Sequence, residues 1–365
     1  MHRFITHLRN FDWILSGSAI LLTVFGLISL YSSSLSREDF SNFSKQIIFL
    51  VLGLVFMLIF SLIDWRLIKN NPYLIVAFYI LGLIALVGLF VFAPETRGTK
   101  GWYRLGGVSF DPVEFMKLVL VILMAKYLSL RHIELYKWRE IILAGVYFAL
   151  PVALIFLQPN LGSALVLIAL WVAVMLVSGI KLRHFLLILV TGTLIFSLGW
   201  TVVLKDYQKA RIMSFIEPEL DPLGMGWSQL QSKIAIGNGG LLGQGLGNGT
   251  QTQYGFLSEP QTDFIFAGIG EEFGFLGILA LFLLYFTLIF RVIRLAIIAE
   301  SNFPRFFAVG FAALILFQVF VNVGMNLGLL PIIGLPLPLV SYGGSALIFS
   351  YIGLGILQSI KAHSS

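Results

Sequence analysis

Cysteine is absent from this 365-residue chain. Disulfide frameworks, thiol nucleophiles and cysteine metal sites are therefore excluded. Histidine is scarce: His2, His7, His132, His184 and His363 are the full set, and no two stand at the three- or four-residue spacing that puts ligand nitrogens on one helical face. Charged residues make up only 12%. No basic run with interleaved aromatics marks a nucleic-acid surface. No soluble domain, low-complexity tail or fixed-period repeat breaks the pattern. What abounds is apolar: 58% of residues are hydrophobic and the mean hydropathy is +0.93, a balance that excludes an ordinary soluble domain.

A helix needs about 20 apolar residues to cross a bilayer. Ten stretches approach or meet this, at 12–33, 46–64, 73–93, 114–130, 139–158, 161–179, 184–204, 263–290, 303–327 and 338–360. The reading is an all-α integral membrane protein with ten transmembrane helices, a single domain over 1–365, and a large extracytoplasmic loop at 205–262 between the seventh and eighth spans. The first span is long and has no clear small-residue cleavage site, so it reads as retained rather than as a signal peptide. With the N-terminus inside, the inner segments, termini included, hold 14 of the 24 lysines and arginines, which predicts both termini on the cytoplasmic side. A second outer loop, 94–113, carries Trp102 and Tyr103 among glycines. The large loop holds a stretch that reads as helical, Trp227 to Ile236, followed by the glycine-rich run AIGNGGLLGQGLGNG. A loop of that length without a function is uncommon.

Charge inside the apolar stretches is the unusual feature. QTDFIFAGIGEEFGFLG opens the eighth span with Asp263, Glu271 and Glu272, although an ionised side chain near the bilayer centre costs at least ~2.5 kcal/mol without a cavity or partner. Thr262 is positioned to cap a helix in which Asp263 occupies the first turn. Glu271 and Glu272 point about 100° apart and cannot share one narrow site; contact with backbone or a neighbouring arginine is the expectation for at least one. Glu114 and Lys117 lie three apart on one helical face, an expected buried ion pair. Gln158, Asn160 and Ser163 bring polar groups to the corner of two spans. Pro331, Pro336 and Pro338 forbid a continuous helix before Ser341-Tyr342-Gly343-Gly344-Ser345, and irregular backbone at membrane depth needs protein or water cover. Asn322 and Asn326 face one interior. A polar cavity walled by Glu114, Lys117, Asn160, Asp263 and Ser341 follows. Residue chemistry alone leaves two classes open: a transporter or flippase with broken helices at its site, and an enzyme using a carboxylate base on a lipid-linked substrate.

Five blocks in order, GWYRLGGVSFDPVEFMKL, QPNLGSA, RIMSFIEPELDPLGMGWSQLQSKIAIGNGGLLGQG, GTQTQYGFLSEPQTDFIFAGIGEEFGFLG and NLGLLPIIGLPLPLVSYGGS, make the chain resemble the SEDS family of bacterial shape, elongation, division and sporulation proteins over essentially its whole length. GTQTQYGFL and TDFIF are similar to the elongation (RodA) branch rather than the division (FtsW) branch. The resemblance implies a ten-helix peptidoglycan glycosyltransferase of the bacterial cytoplasmic membrane that polymerises lipid II. It implies a class B penicillin-binding protein as transpeptidase partner and other elongation-complex membrane proteins as neighbours. It puts the general base at Asp263 and undecaprenyl pyrophosphate as leaving group. Cavity or substrate-binding roles are expected at Glu114, Lys117, Gln158, Asn160, Arg211, Lys233, Thr262 and Ser341. Charge on the leaving group falls to Arg211, Lys233, Lys117 or a divalent cation (Mg2+ or Mn2+). The chain departs from the resemblance at Asp111-Pro112-Val113-Glu114, where Gln-Pro-Ser-Glu is usual, and at Asn160, where Asp is usual. It also departs at Gly101, Ser258 and Gln261, where Arg, Pro and His are common. Asn160 weakens any proposal that needs a second carboxylate or a two-acid metal site. A lipid-linked precursor flippase and a non-catalytic scaffold of the elongation machinery remain as alternatives.

Overall fold

The structure, a computed structural model, describes residues 10–94, 101–131, 134, 137–202, 206–217 and 224–363. His2, His7 and His132 lie outside these residues, as do the end of the 94–113 loop nearest Phe92 and part of the 205–262 loop.

Among the described residues fourteen helices and one hairpin follow in order: α1 Trp13–Leu35, α2 Ser41–Leu62, α3 Trp65–Asn70, α4 Pro72–Phe92, β1 Tyr103–Leu105, β2 Val108–Phe110, α5 Pro112–Arg131, α6 Trp138–Leu157, α7 Leu161–Val177, α8 Leu182–Val202, α9 Asp206–Ile216, α10 Met225–Asn238, α11 Thr250–Gln253, α12 Ile265–Ile298, α13 Asn302–Asn326 and α14 Gly344–Ala362. Each of the ten apolar stretches coincides with one helix. Seven of these are long and apolar enough to cross a membrane among the described residues: α1, α2, α4, α6, α12, α13 and α14. The 94–113 loop is not irregular throughout, since β1 and β2 pair antiparallel.

The helix starts follow local chemistry. Asp12 caps α1 through Leu15 N (3.1 Å), Pro72 stands in the first turn of α4, and Asp111 receives Val113 N (2.8 Å) where α5 begins at Pro112; each group occupies a position the helix terminus favours. α13 and α14 are mostly buried, whereas α2 and α4 turn most of their surface outward. α5 is buried from Met116 to Ala125 without interruption, as a helix at the centre of a bundle must be. Gly26 allows α1 to touch the 331–343 segment: a Cβ there would lie 2.1 Å from Val340 O. Asp12, with its side chain 1% exposed, joins α1 to α12 and α14 through Arg291 (2.5 Å) and Lys361 (3.3 Å).

α12 is interrupted at Gly274 (φ 63°, ψ −160°). The glycine-rich run packs against this break. Gln244 N and Gly245 N donate to Glu271 O and Glu272 O (both 3.0 Å), and Phe275 N and Leu276 N donate to Gly240 O and Leu241 O (2.9 and 3.2 Å). The carbonyls and amides orphaned by the interruption thus find backbone partners, which a low-dielectric surrounding demands.

Candidate functional site

At one end of the bundle a cavity of about 390 Å3 opens between the β-hairpin, the starts of α5, α7 and α14, helix α9 and the 331–343 segment. Asp263, Glu114, Asn160, Arg211 and Thr262 line it, together with Arg104, Asp111 and Glu259. Two guanidinium groups therefore share one space with four carboxyl groups.

Asp263 does not start a helix. α12 begins at Ile265, its cap residue is Phe264, and Phe264 makes no side-chain cap bond, so Thr262 is not the N-cap. Asp263 instead ends a turn in which Thr262 N and Phe264 N both donate to Glu259 O (3.2 and 3.3 Å). Three successive carbonyls hold that turn. Gln261 O accepts Tyr342 N (2.9 Å), and Thr262 O accepts Ser341 Oγ (2.6 Å). Asp263 O accepts Nδ2 of both Asn322 (3.0 Å) and Asn326 (2.9 Å). Asn326 Oδ1 also receives Ala267 N (3.2 Å), so one buried amide caps α12 from α13 and fixes the backbone of Asp263.

Ser341 is consequently not a wall of the cavity. Buried at 5% exposure, it accepts a hydrogen bond from Leu337 N (2.8 Å) and donates one to Thr262 O. Lys117 lies beneath the wall: its side chain is 1% exposed and pairs at 2.7 Å with Glu114, whose side chain is 13% exposed and lines the cavity. Gln158 is buried below, where Nε2 donates to Leu86 O (2.6 Å). Asn160 lines the cavity while its Oδ1 caps α7 through Ser163 N (3.2 Å). Lys233 is exposed on α10 with its stem and amine against Gly328, outside the cavity lining.

Glu271 and Glu272 serve the loop. Glu271 receives Gln251 N (2.6 Å) and Thr252 N (3.0 Å) at the start of α11. Glu272 binds Ser32 Oγ, Gly247 N and Gln253 Nε2. Backbone contact was one of two expected partners, and an arginine was the other; backbone amides of the loop and α11, with hydroxyls from α1 and α11, take the place.

Arg104, Asp111 and Glu259 line the cavity as well, and none is among the site residues expected from the sequence. Arg104 stands directly across from Ser109 in the hairpin, and both face the cavity. Burial first, and the charge of Glu114 second, push the Asp111 carboxyl up to about 7. Asp111 and Asn160 both line the cavity, so an acid is present on it although position 160 is an amide. Among the described residues no group of three or more His, Asp or Glu side chains could hold a metal ion.

Fold and site together define a multi-pass helical membrane protein with a charged cavity at one end of its bundle. A family model described as "Cell cycle protein" (FtsW/RodA/SpoVE) matches residues 12–365. The peptidoglycan glycosyltransferase MrdB of Escherichia coli K12 is 38% identical over 345 residues, covering 94% of this chain and 92% of that protein. Two solved structures superpose over 97% of the chain. One belongs to a peptidoglycan synthase complex that coordinates polymerization and crosslinking (TM-score 0.83, 30% identity, 98% of that chain). The other is the rod shape determining protein RodA of Thermus thermophilus (TM-score 0.70, 28% identity, 97% of that chain). The chain belongs to the SEDS family, the FtsW/RodA/SpoVE proteins.

Proposed function

We propose that the protein is a peptidoglycan glycosyltransferase that polymerises lipid II during cell elongation. Its place is the bacterial cytoplasmic membrane, crossed ten times when α5, α7 and α8 are counted with the seven longer apolar helices, and both termini are cytoplasmic. The observation that carries the reading is Asp263 on a turn clamped at three carbonyls, opening onto a cavity shared with Arg104 and Arg211.

In this reading Asp263 takes the proton from the 4-hydroxyl of the acceptor sugar. That oxygen bonds to the anomeric carbon of the donor from the face opposite the leaving group. The anomeric C–O bond breaks, and undecaprenyl pyrophosphate departs with the electron pair. A positioned base contributes ~10²–10⁴-fold, and the clamp supplies the positioning. Arg104 and Arg211 offset the charge growing on the pyrophosphate. No step is routed through a metal. Lys117, too deep to meet substrate, holds Glu114 at the wall. A class B penicillin-binding protein is the proposed partner. The coordination of polymerization with crosslinking in the solved relative supports it, and other elongation-complex membrane proteins complete the assembly.

Purified protein with fluorescent lipid II and the transpeptidase partner tests the reading. Polymer is expected from the parent chain and none from Asp263→Asn. Lipid II translocation in liposomes without polymer, unchanged by that substitution, would replace it with the flippase reading. Normal complementation of a deletion strain by Asp263→Asn would favour the scaffold.

A further inference from the structure

A second cavity, about 230 Å3, lies at the opposite end of α14 from the first. Short helix α3 supplies Trp65, Arg66 and Lys69, and the corner between α12 and α13 supplies Glu300, Ser301 and Pro304. α3 is anchored there by Trp65 N, which donates to Ser359 Oγ (3.1 Å), and by Arg66, which donates to His363 O (3.1 Å). The Asp12–Lys361 pair brings the start of α1 to the same end.

The polar groups of this cavity are poorly consumed by the protein. Trp65 is 5% exposed and stacks on Phe303 (5.7 Å, 7°), yet its indole Nε1–H is buried without an acceptor among the described residues. Arg66 and Lys69 each stand 5.6 Å from the Trp65 ring. Arg66 pairs only loosely with Asp64, at 3.8 Å. Ser301, the cap residue of the 25-residue α13, makes no side-chain cap bond, so the positive end of that helix adds to the two cations. Glu300 is the one carboxylate in the lining. Leu67 (65% exposed) and Tyr73 (85%) flank the cavity with apolar surface of the kind that meets lipid, and tryptophan beside basic residues is the composition of a membrane–water interface.

We propose that this cavity binds the headgroup of a phospholipid from the leaflet on the side of the chain termini. Arg66 and Lys69 take the phosphodiester. Glu300 takes a headgroup ammonium. Phosphoethanolamine offers Glu300 a charged ammonium partner, whereas a glycerol headgroup offers only neutral hydroxyl donors, so the carboxylate favours the zwitterionic headgroup. The assignment does not depend on the activity proposed for the other end.

The test is thermal melting of the purified full chain in detergent, titrated with short-chain phosphatidylethanolamine, short-chain phosphatidylglycerol or inorganic phosphate. Phosphatidylethanolamine is expected to raise the midpoint saturably and at lower concentration than phosphatidylglycerol, with no shift from phosphate. Lys69→Gln weakens the phosphatidylethanolamine response roughly tenfold, the loss of one charge-assisted contact. Glu300→Gln abolishes the preference between the two lipids. If Lys69→Gln melts early without lipid, Arg66→Gln carries the comparison. Equal responses to the two lipids in the parent chain, a phosphate response matching the lipid response, or responses unaltered by these substitutions each overturn the proposal.

Discussion

Removing either member of the Glu114–Lys117 pair should give unequal damage. At 2.7 Å the gross attraction is about 6 kcal/mol for an effective dielectric near 20. Desolvation of two ions offsets most of it, so the intact pair adds little net stability. What matters is the charge left behind. Glu114→Ala strands an ammonium whose side chain is 1% exposed, with no route to water, and should cost about 3–5 kcal/mol. Lys117→Met leaves a carboxylate on the cavity wall, 13% exposed, where water in the cavity can solvate it; about half that cost is expected. The double variant Glu114→Gln/Lys117→Met removes both charges and should recover to within about 1–2 kcal/mol of the parent. Melting midpoints of the purified variants, ordered parent, double, Lys117→Met, Glu114→Ala, check the argument. Lipid II polymerisation by the same samples separates fold from chemistry, because a double variant that is stable yet inactive assigns Glu114 a role at the substrate. Additive single effects, or a Lys117→Met variant as damaged as Glu114→Ala, would refute the reasoning.

Ser341→Ala removes the donor to Thr262 O (2.6 Å); a drop of roughly 10² in polymerisation turnover is expected from a loosened Asp263 turn, with a midpoint change worth about 1–2 kcal/mol, and unchanged turnover would show that the clamp is dispensable. Gly243→Ala places a Cβ 2.1 Å from Glu272 O at φ +82°, so the chain should fail to give a monodisperse peak on size exclusion. Asp111, raised to about 7, binds its proton more tightly folded than unfolded. Its contribution to stability is therefore fully present below the ordinary carboxylate range and is lost as pH rises to about 7. The melting midpoint should fall for this reason between about pH 4 and about pH 7, Asp111→Asn should flatten that slope, and an equal slope in the variant would contradict the account.

Seven of the ten apolar stretches were legible as helices long and apolar enough to cross a membrane, because period and length suffice to mark such a helix. α5 was the weakest of the ten, since its charged positions reflect burial among other helices rather than exposure to lipid. The ion pair of Glu114 and Lys117 was legible from spacing alone. Arg104 was not: it sits on a two-stranded hairpin of three-residue strands, too short for any periodic signal, and nothing local points from residue 104 to residue 263. Ser341 and Asn326 read as polar lining because sequence shows that a side chain is polar, not that a main-chain carbonyl consumes it. Lys233 read as a phosphate partner on charge alone, and its contact with Gly328 belongs to packing that spacing does not encode.

The break at Gly274 also acts as a ruler. The part of α12 after it, Phe275–Ile298, measures roughly 36 Å at 1.5 Å per residue, already enough for a hydrocarbon layer of about 30 Å. The preceding piece, Ile265–Phe273, which carries Glu271 and Glu272, and Asp263 beyond it, is thus surplus to a crossing of that length. Under the proposed function, acids that look buried in oil when counted along the chain would stand where a polyprenyl-anchored sugar presents its own polar end.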